Sequence, residues 1–251
     1  MSINIIKAGS THNTTYKKKR KIEWIILHYT AGASSKPGRA LGCASNFAKS
    51  TREASADFIC DDRDIVQYNT DLENRYTWAV GGKKYAKNST TLGARFYGIA
   101  KNCNSISIEM CSNKKSTKTL NVTDTDWYFT DETINNAVVL TRYLMDKYNI
   151  DINHVIMHHM VTGKVCPQPW CLNEAYLVNW YNFLNKVQKN IIVTPAPTTP
   201  TPAPAPVTTK PTNTSYIVKV LVDKLNIREK ATTKSAIKGQ VKKGVCYTIV
   251  E

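Results

Sequence analysis

Apolar residues recur along this chain in two rhythms. Short continuous or alternating runs read as strands: Glu23–His28 (EWIILH), Ser55–Cys60, Ile65–Tyr68, Ser105–Met110 (SISIEM) and Asn153–His158 (NHVIMH). The second and third are joined by the Asp-rich turn at 61–64. Longer stretches repeat at three and four residues and read as helices. In Thr130–Tyr148 the stripe is Ile134, Ala137, Val138, Thr141, Leu144, Met145 and Tyr148, with Asp131 and Glu132 in the first turn, where the helix dipole favours negative charge. Glu174–Gln188 repeats the pattern with Leu177, Trp180, Tyr181, Leu184 and Val187, and Arg39–Lys49 is a third helix. Strands interleaved with helices predict an α/β domain, a central mixed β-sheet flanked by helices.

The pattern stops at a compositional break. Residues 194–214 read TPAPTTPTPAPAPVTTKPTNT, hold seven of the ten prolines and carry one charge, Lys210. Such a stretch buries no core and favours polyproline II, which at ~3.1 Å per residue spans on the order of 60 Å. The expected organisation is a domain at 1–190, a Pro/Thr-rich linker at 191–214 and a small all-β tail at 215–251.

The chain has 251 residues and a net charge of +15. Residues 1–189 contribute +9 (25 basic, 16 acidic) and 215–251 contribute +5 (8 basic, 3 acidic), so both parts are drawn to polyanions. No helix-turn-helix, RNP or zinc-finger spacing appears, and the run Lys17-Lys18-Lys19-Arg20-Lys21 reads as a solvated face, so nucleic acid is not an expected partner. No apolar run approaches the ~20 residues of a membrane span. The N-terminus lacks the charge-then-apolar order of a secretory signal, which predicts synthesis in the cytoplasm without export by that route. Seven cysteines, an odd number without framework spacing, fit a reducing compartment and leave thiols free for other work.

Candidate chemistry starts from five histidines, His12, His28, His154, His158 and His159. His28 and His158 each close a predicted buried strand, so the sheet edge delivers both. Cys166 follows His158 by eight residues, on a short loop set by Gly163 and Pro167. Two imidazoles and a thiolate suit Zn²⁺ and leave its fourth tetrahedral position to water, the catalytic pattern. His159 competes with His158, because neighbours on a strand face opposite ways and only one enters a cleft. Glu109 reads either as a residue on a solvated face or as a proton acceptor for that water. Lys164 reads either as surface charge or as an ammonium that steadies an oxyanion.

The stretches WIILHYTAG, SADFICDDRDIVQY, TWAVGG, SISIEMCSN and HHMVTGKVCP, in this order, resemble the type 2 N-acetylmuramoyl-L-alanine amidases, which include phage endolysins and the peptidoglycan recognition proteins. The resemblance covers about residues 20–185. It implies a type 2 amidase fold and zinc held by His28, His158 and Cys166, with His158 preferred to His159. It also implies Glu109 as general base, Lys164 as oxyanion partner and Trp78 as a substrate-binding wall of the cleft. The implied reaction is hydrolysis of the amide between the lactyl group of N-acetylmuramic acid and L-Ala, by a phage or prophage endolysin or an autolysin of a Gram-positive host acting at the cell wall after release. Asp57 and Ala79 stand where many members have His, and Ala56 stands in the region where some phage members place a catalytic Tyr; these departures bear on substrate contacts rather than on the metal. The tail resembles the first half of a bacterial SH3-type wall-binding domain, with Leu225-Asn226-Ile227-Arg228 as the signature strand; thirty-seven residues are few for a core. Peptidoglycan and anionic wall polymers are the implied partners, without membrane insertion. The alternative is a module that binds peptidoglycan without cutting it, against which Cys166, Lys164 and Glu109 argue together.

Overall fold

The computed structural model describes residues 3–33, 36–85, 88–189, 215–219, 224–228, 235–242 and 246–250. The chain divides into two units, Met1–Thr194 and Pro195–Glu251. In the first, chain order gives β1 (Ile6–Lys7), β2 (Thr14–Tyr16), β3 (Trp24–Tyr29), α1 (Ala40–Lys49), β4 (Phe58–Cys60), β5 (Ile65–Gln67), β6 (Arg75–Thr77), β7 (Ser105–Met110), β8 (Asn113–Lys114), β9 (Trp127–Tyr128), α2 (Asp131–Tyr148), β10 (Val155–Met157), α3 (His158–Thr162), α4 (Gln168–Cys171) and α5 (Leu177–Lys189). The main sheet runs β1-β5-β4-β7-β3-β10. Strands β4, β7, β3 and β10 are mutually parallel, while β5 is antiparallel to β4, which makes the sheet mixed as expected.

Burial on both faces explains the unbroken apolar strands. Ile59 and Val66 pack with Ala40 and Ala44 of α1, whereas Phe58, Cys60 and Ile65 join the larger core with residues of α2 and α5. Parallel strands of this kind aim their carboxyl ends at one edge, the usual place for a site in an α/β sheet.

Local side-chain chemistry sets the element ends. Thr130 caps α2 by accepting from the Thr133 N–H, at 3.2 Å. Asp61 makes the expected turn after β4: Oδ1 accepts from Arg63 and Asp64, both at 2.8 Å, and Oδ2 from Ala40 at 2.5 Å, at the start of α1. Three expected elements are trimmed for the same reason. Asp57 turns inward to polar partners, so the strand expected from Ser55 begins at Phe58. Asp151 accepts from Asn153 and winds residues 152–154 into a 3₁₀ turn, so β10 begins at Val155, and His158 opens a helix instead of ending a strand. Asn173 does the same at 174–176, so α5 begins at Leu177.

The basic run Lys17–Lys21 is not wholly a solvated face. Arg20 is buried, donates to the carbonyls of Leu72, Asn102 and Ser105, and lies 3.7 Å from buried Asp57. The Asp57 carboxylate also accepts from the Ser107 N–H at 2.8 Å, the Ser107 hydroxyl at 3.0 Å and Asn69 at 2.7 Å. This network ties the segment before β4 to the middle of β7.

In the tail, β11 (Ser215–Lys219) pairs antiparallel with β14 (Cys246–Val250), and β12 (Lys224–Arg228) with β13 (Ile237–Lys242). Leu225–Arg228 therefore lies on a strand. The expected linker at 191–214 lies outside the described residues.

Asp57→Asn should leave the Arg20 charge buried without compensation and cost about 3 kcal/mol. The expected readout is a lower urea midpoint at unchanged slope. An unchanged midpoint would mean that the three carbonyls alone satisfy Arg20.

Candidate metal centre and active site

Strand register brings the chemistry together. In the parallel pair β3–β7, His28 stands opposite Glu109. In the pair β10–β3, Met157 stands opposite Leu27, so His158, the next residue, emerges at the level of His28. Helix α3 starts there and lasts five residues. Gly163 ends it at φ +83°, a left-handed backbone that favours glycine. The chain then doubles back, and the His159 N–H donates to the Cys166 carbonyl at 2.7 Å.

The result is a cluster of His28, His158 and Cys166, all buried, whose donor atoms lie within 4.8 Å of one another. His28 Nδ1 is 3.9 Å from Cys166 Sγ, and the two imidazole centroids are 4.7 Å apart. His28 Nε2, His158 Nδ1 and Glu109 Oε2 are enclosed and have no hydrogen-bond partner among the described residues. Such groups normally find one. Burial, then the neighbouring charges of His158 and Lys164, hold His28 well below the ordinary histidine range. Burial, Lys164 and His159 bring His158 down to about 3. Burial pushes the Cys166 thiol up to about 12, and Glu109 adds to this, while Lys164 and the Tyr29 backbone oppose it. Both imidazoles are thus neutral and able to donate lone pairs, and the thiol ionises only if a cation offsets its burial.

Zinc fits this set. Bonds of about 2.0–2.3 Å in a tetrahedron put donor atoms roughly 3.5 Å apart, against 3.9 Å from His28 Nδ1 to Cys166 Sγ and an upper bound of 4.8 Å for the cluster. The donors are the N, N and S types that zinc favours; His28 turns Nδ1 towards the sulfur, and the unpartnered His158 Nδ1 is an atom a metal would satisfy.

Around the cluster, Glu109 is half-buried as a residue but its Oε2 is sealed. Burial raises its carboxyl to about 7, against the opposing charges of Lys164 and Arg52. Lys164, half-buried, acts electrostatically on His28, His158, Cys166 and Glu109 alike. His159 is excluded from the cluster by its bonds, from Nδ1 to the Lys164 carbonyl at 2.9 Å and from Nε2 to Thr90 Oγ1 at 2.8 Å. Strand alternation admits only one of the two histidines to a cleft and does not say which; the preference for His158 comes from the resemblance. The structure groups His158 with His28 and Cys166 through a helix start, and a pair of hydrogen bonds turns His159 elsewhere. His12 and His154 are exposed and bonded to the carbonyls of Ser50 and Glu23. Trp78 lies apart from this grouping of partners: its indole donates to Thr15 at 2.9 Å and its backbone to Ser55 at 3.1 Å. Asp57 is committed to Arg20 and Ser107. Thr90 carried no signal in the sequence, since its role depends on a contact 69 residues away.

Residues 18–169, more than half of the chain, match the family Amidase_2, N-acetylmuramoyl-L-alanine amidase. The chain is 27% identical over 161 residues to N-acetylmuramoyl-L-alanine amidase CwlL of Bacillus licheniformis, covering 63% of this chain and 39% of that protein. A probable N-acetylmuramoyl-L-alanine amidase of the same organism is 26% identical over 165 residues, covering 64% and 40%. The chain thus spans about two-fifths of the length of these curated relatives. Among solved structures it is similar to PlyL (TM-score 0.53, 25% identity, 74% of this chain and 97% of that one). It is also similar to the PlyG catalytic domain (TM-score 0.52, 25% identity, 78% and 100%). The catalytic domain of XlyA shares the fold (TM-score 0.52, 24% identity, 74% and 99%). With strand register, donor cluster and sequence match in agreement, the chain belongs to the N-acetylmuramoyl-L-alanine amidase family.

Proposed function

We propose that residues 1–190 form a zinc-dependent peptidoglycan hydrolase that cleaves the amide between the lactyl group of N-acetylmuramic acid and L-Ala, as in a phage or prophage endolysin or an autolysin of a Gram-positive host. The single observation that carries this reading is the convergence of two neutral imidazoles and a buried thiol on one point, next to a sealed carboxylate. His28, His158 and Cys166 would hold the metal. When bound, zinc supplies Lewis-acid polarisation of the amide carbonyl and a nucleophile at neutral pH.

The chain's own residues account for the proton and charge movements. Glu109 accepts a proton from the attacking water and returns it to the departing nitrogen of L-Ala. The water oxygen ends in the lactyl carboxylate, and a free amino terminus leaves. Lys164 sets a positive charge against the oxygen that becomes negative during attack. Trp78, half-buried, is proposed as a substrate contact. The net charge of +15 supports long-range attraction to anionic wall polymers, and the strand carrying Leu225–Arg228 supports a partial SH3-type wall-binding role for 215–251, with 191–214 as spacer. The site of action is then the cell wall. Among the described residues, no helix is long and apolar enough to cross a membrane.

Purified protein should carry about one zinc by elemental analysis. Cys166→Ser should lose it and lower the rate of wall-turbidity loss by at least ~100-fold, with far-ultraviolet circular dichroism unchanged. Mass spectrometry of digested peptidoglycan should find new L-Ala amino termini. New reducing sugars instead would reassign the protein as a glycosidase.

The raised Glu109 carboxyl gives a pH dependence with a definite sign. Its folded value of about 7 exceeds its ordinary 4.5, so between these the native state holds a proton that the unfolded chain has released. Stability of the metal-free protein therefore falls as pH rises from 4.5 to about 7. Glu109→Gln removes that loss. The metal-free variant should exceed wild type by on the order of 2 kcal/mol at pH 8 and match it near pH 4. Thermal unfolding at both values checks this; equal differences at the two would mean that the carboxyl is not desolvated.

A further inference from the structure

His159 belongs to none of the roles above, yet it is completely buried and every polar atom it has is engaged. Its backbone N–H donates to the Cys166 carbonyl at 2.7 Å, and its own carbonyl accepts from Gly163 at 2.8 Å and Ala94 at 3.0 Å. Its ring bridges two segments, with Nδ1 2.9 Å from the Lys164 carbonyl and Nε2 2.8 Å from Thr90 Oγ1. The carbonyl can only accept, so Nδ1 carries the proton and Nε2 is the acceptor. Thr90 must then donate its hydroxyl proton to Nε2. Its oxygen is left to accept from the Leu92 N–H, at 3.2 Å. Each group is satisfied in one arrangement only.

The bonds run to both ends of the turn that carries Lys164 and Cys166. Nothing else in that turn is regular structure: residues 163–166 lie between α3 and α4. We propose that His159, its Nδ1–H fixed by the Lys164 carbonyl and the far side of its ring anchored by Thr90, is a positioning residue that holds the Lys164–Cys166 turn at the donor distance from His28 and His158. This rests on the amidase reading of the cluster and goes beyond it. His159 sits next to a proposed ligand but acts on the sulfur through the backbone of the turn. Thr90 becomes part of the site from a segment that contributes no metal donor. That segment, anchored to α3 by Ala94 N–H to the His159 carbonyl and Phe96 N–H to the Met160 carbonyl at 2.9 Å, is coupled to the placement of the thiol.

Thr90→Val keeps shape and removes the hydroxyl, so it tests the Nε2 anchor of the ring without opening a cavity. Co²⁺ titration of metal-stripped full-length protein is the readout, by affinity and by the visible absorption of a sulfur-bound cobalt. Thr90→Val should weaken Co²⁺ binding by about tenfold and shift the cobalt bands, and Thr90→Ser, which restores a hydroxyl, should return both. His159→Gln, which retains polarity but cannot reach both partners, should weaken binding at least as much. Wild-type affinity and spectrum in Thr90→Val and His159→Gln, with only the unfolding temperature lowered, would overturn the proposal and leave His159 a structural residue. A wild-type protein that takes up no Co²⁺ would end this inference and the zinc reading together. Metal uptake by wild type that is insensitive to both variants ends this inference alone.

Discussion

Stripping water from two imidazoles, a thiol and a carboxyl within a few ångströms is unfavourable unless something positive replaces it. The rest of the site follows from this constraint. The imidazoles respond by staying neutral, the thiol by staying protonated and the carboxyl by holding its proton towards pH 7. Each response is a desolvation effect of the same origin. Their signs agree with one remedy, a divalent cation, because a cation stabilises the thiolate and uses neutral nitrogen as it stands. Lys164 is a partial version of that remedy. Its charge already opposes the rise at Cys166 and Glu109.

Precision comes from the sheet rather than from the loop. Register between β3 and β7 places His28 beside Glu109, and register between β10 and β3 sets the level of His158. These strands are held by apolar burial on both faces, and a slip of one residue would turn every side chain to the other face. The thiol is the one donor without a strand beneath it. Its position depends on a glycine turn and on hydrogen bonds, which is why the residues around Gly163, His159 and Thr90 are fully engaged.

Much of this was legible in the sequence because it follows from short-range pattern. The apolar runs gave the central strands, and the stripe beginning at Ile134 gave α2. The eight-residue gap from His158 to Cys166 gave a loop able to fold back. Part of what was not legible depended on partners distant in sequence. Arg20 looked like part of a solvated basic run, because nothing local says that Asp57 and three carbonyls wait for it. The trimmed starts of β10 and α5 came from Asp151 and Asn173 capping turns, a short-range signal outweighed by the apolar pattern after it. The short strands β1, β2, β8 and β9 carry too few residues to show a period.

Asp57 shows how one departure from a family pattern can be read. A histidine there could turn to substrate, whereas this carboxylate sits under three hydrogen bonds and a buried guanidinium. The position has been drawn into the scaffold, so it can no longer contribute to recognition without breaking the link between the β4 segment and β7. Ser107, two residues before Glu109 on the same strand and the same face, is bound into that network. The carboxyl proposed as base thus stands on a strand whose polar side chains are fixed by Asp57, within the field of the Lys164 charge. A base held in this way needs no hydrogen-bond partner of its own to stay in place, which leaves its sealed oxygen free for the proton it is there to take.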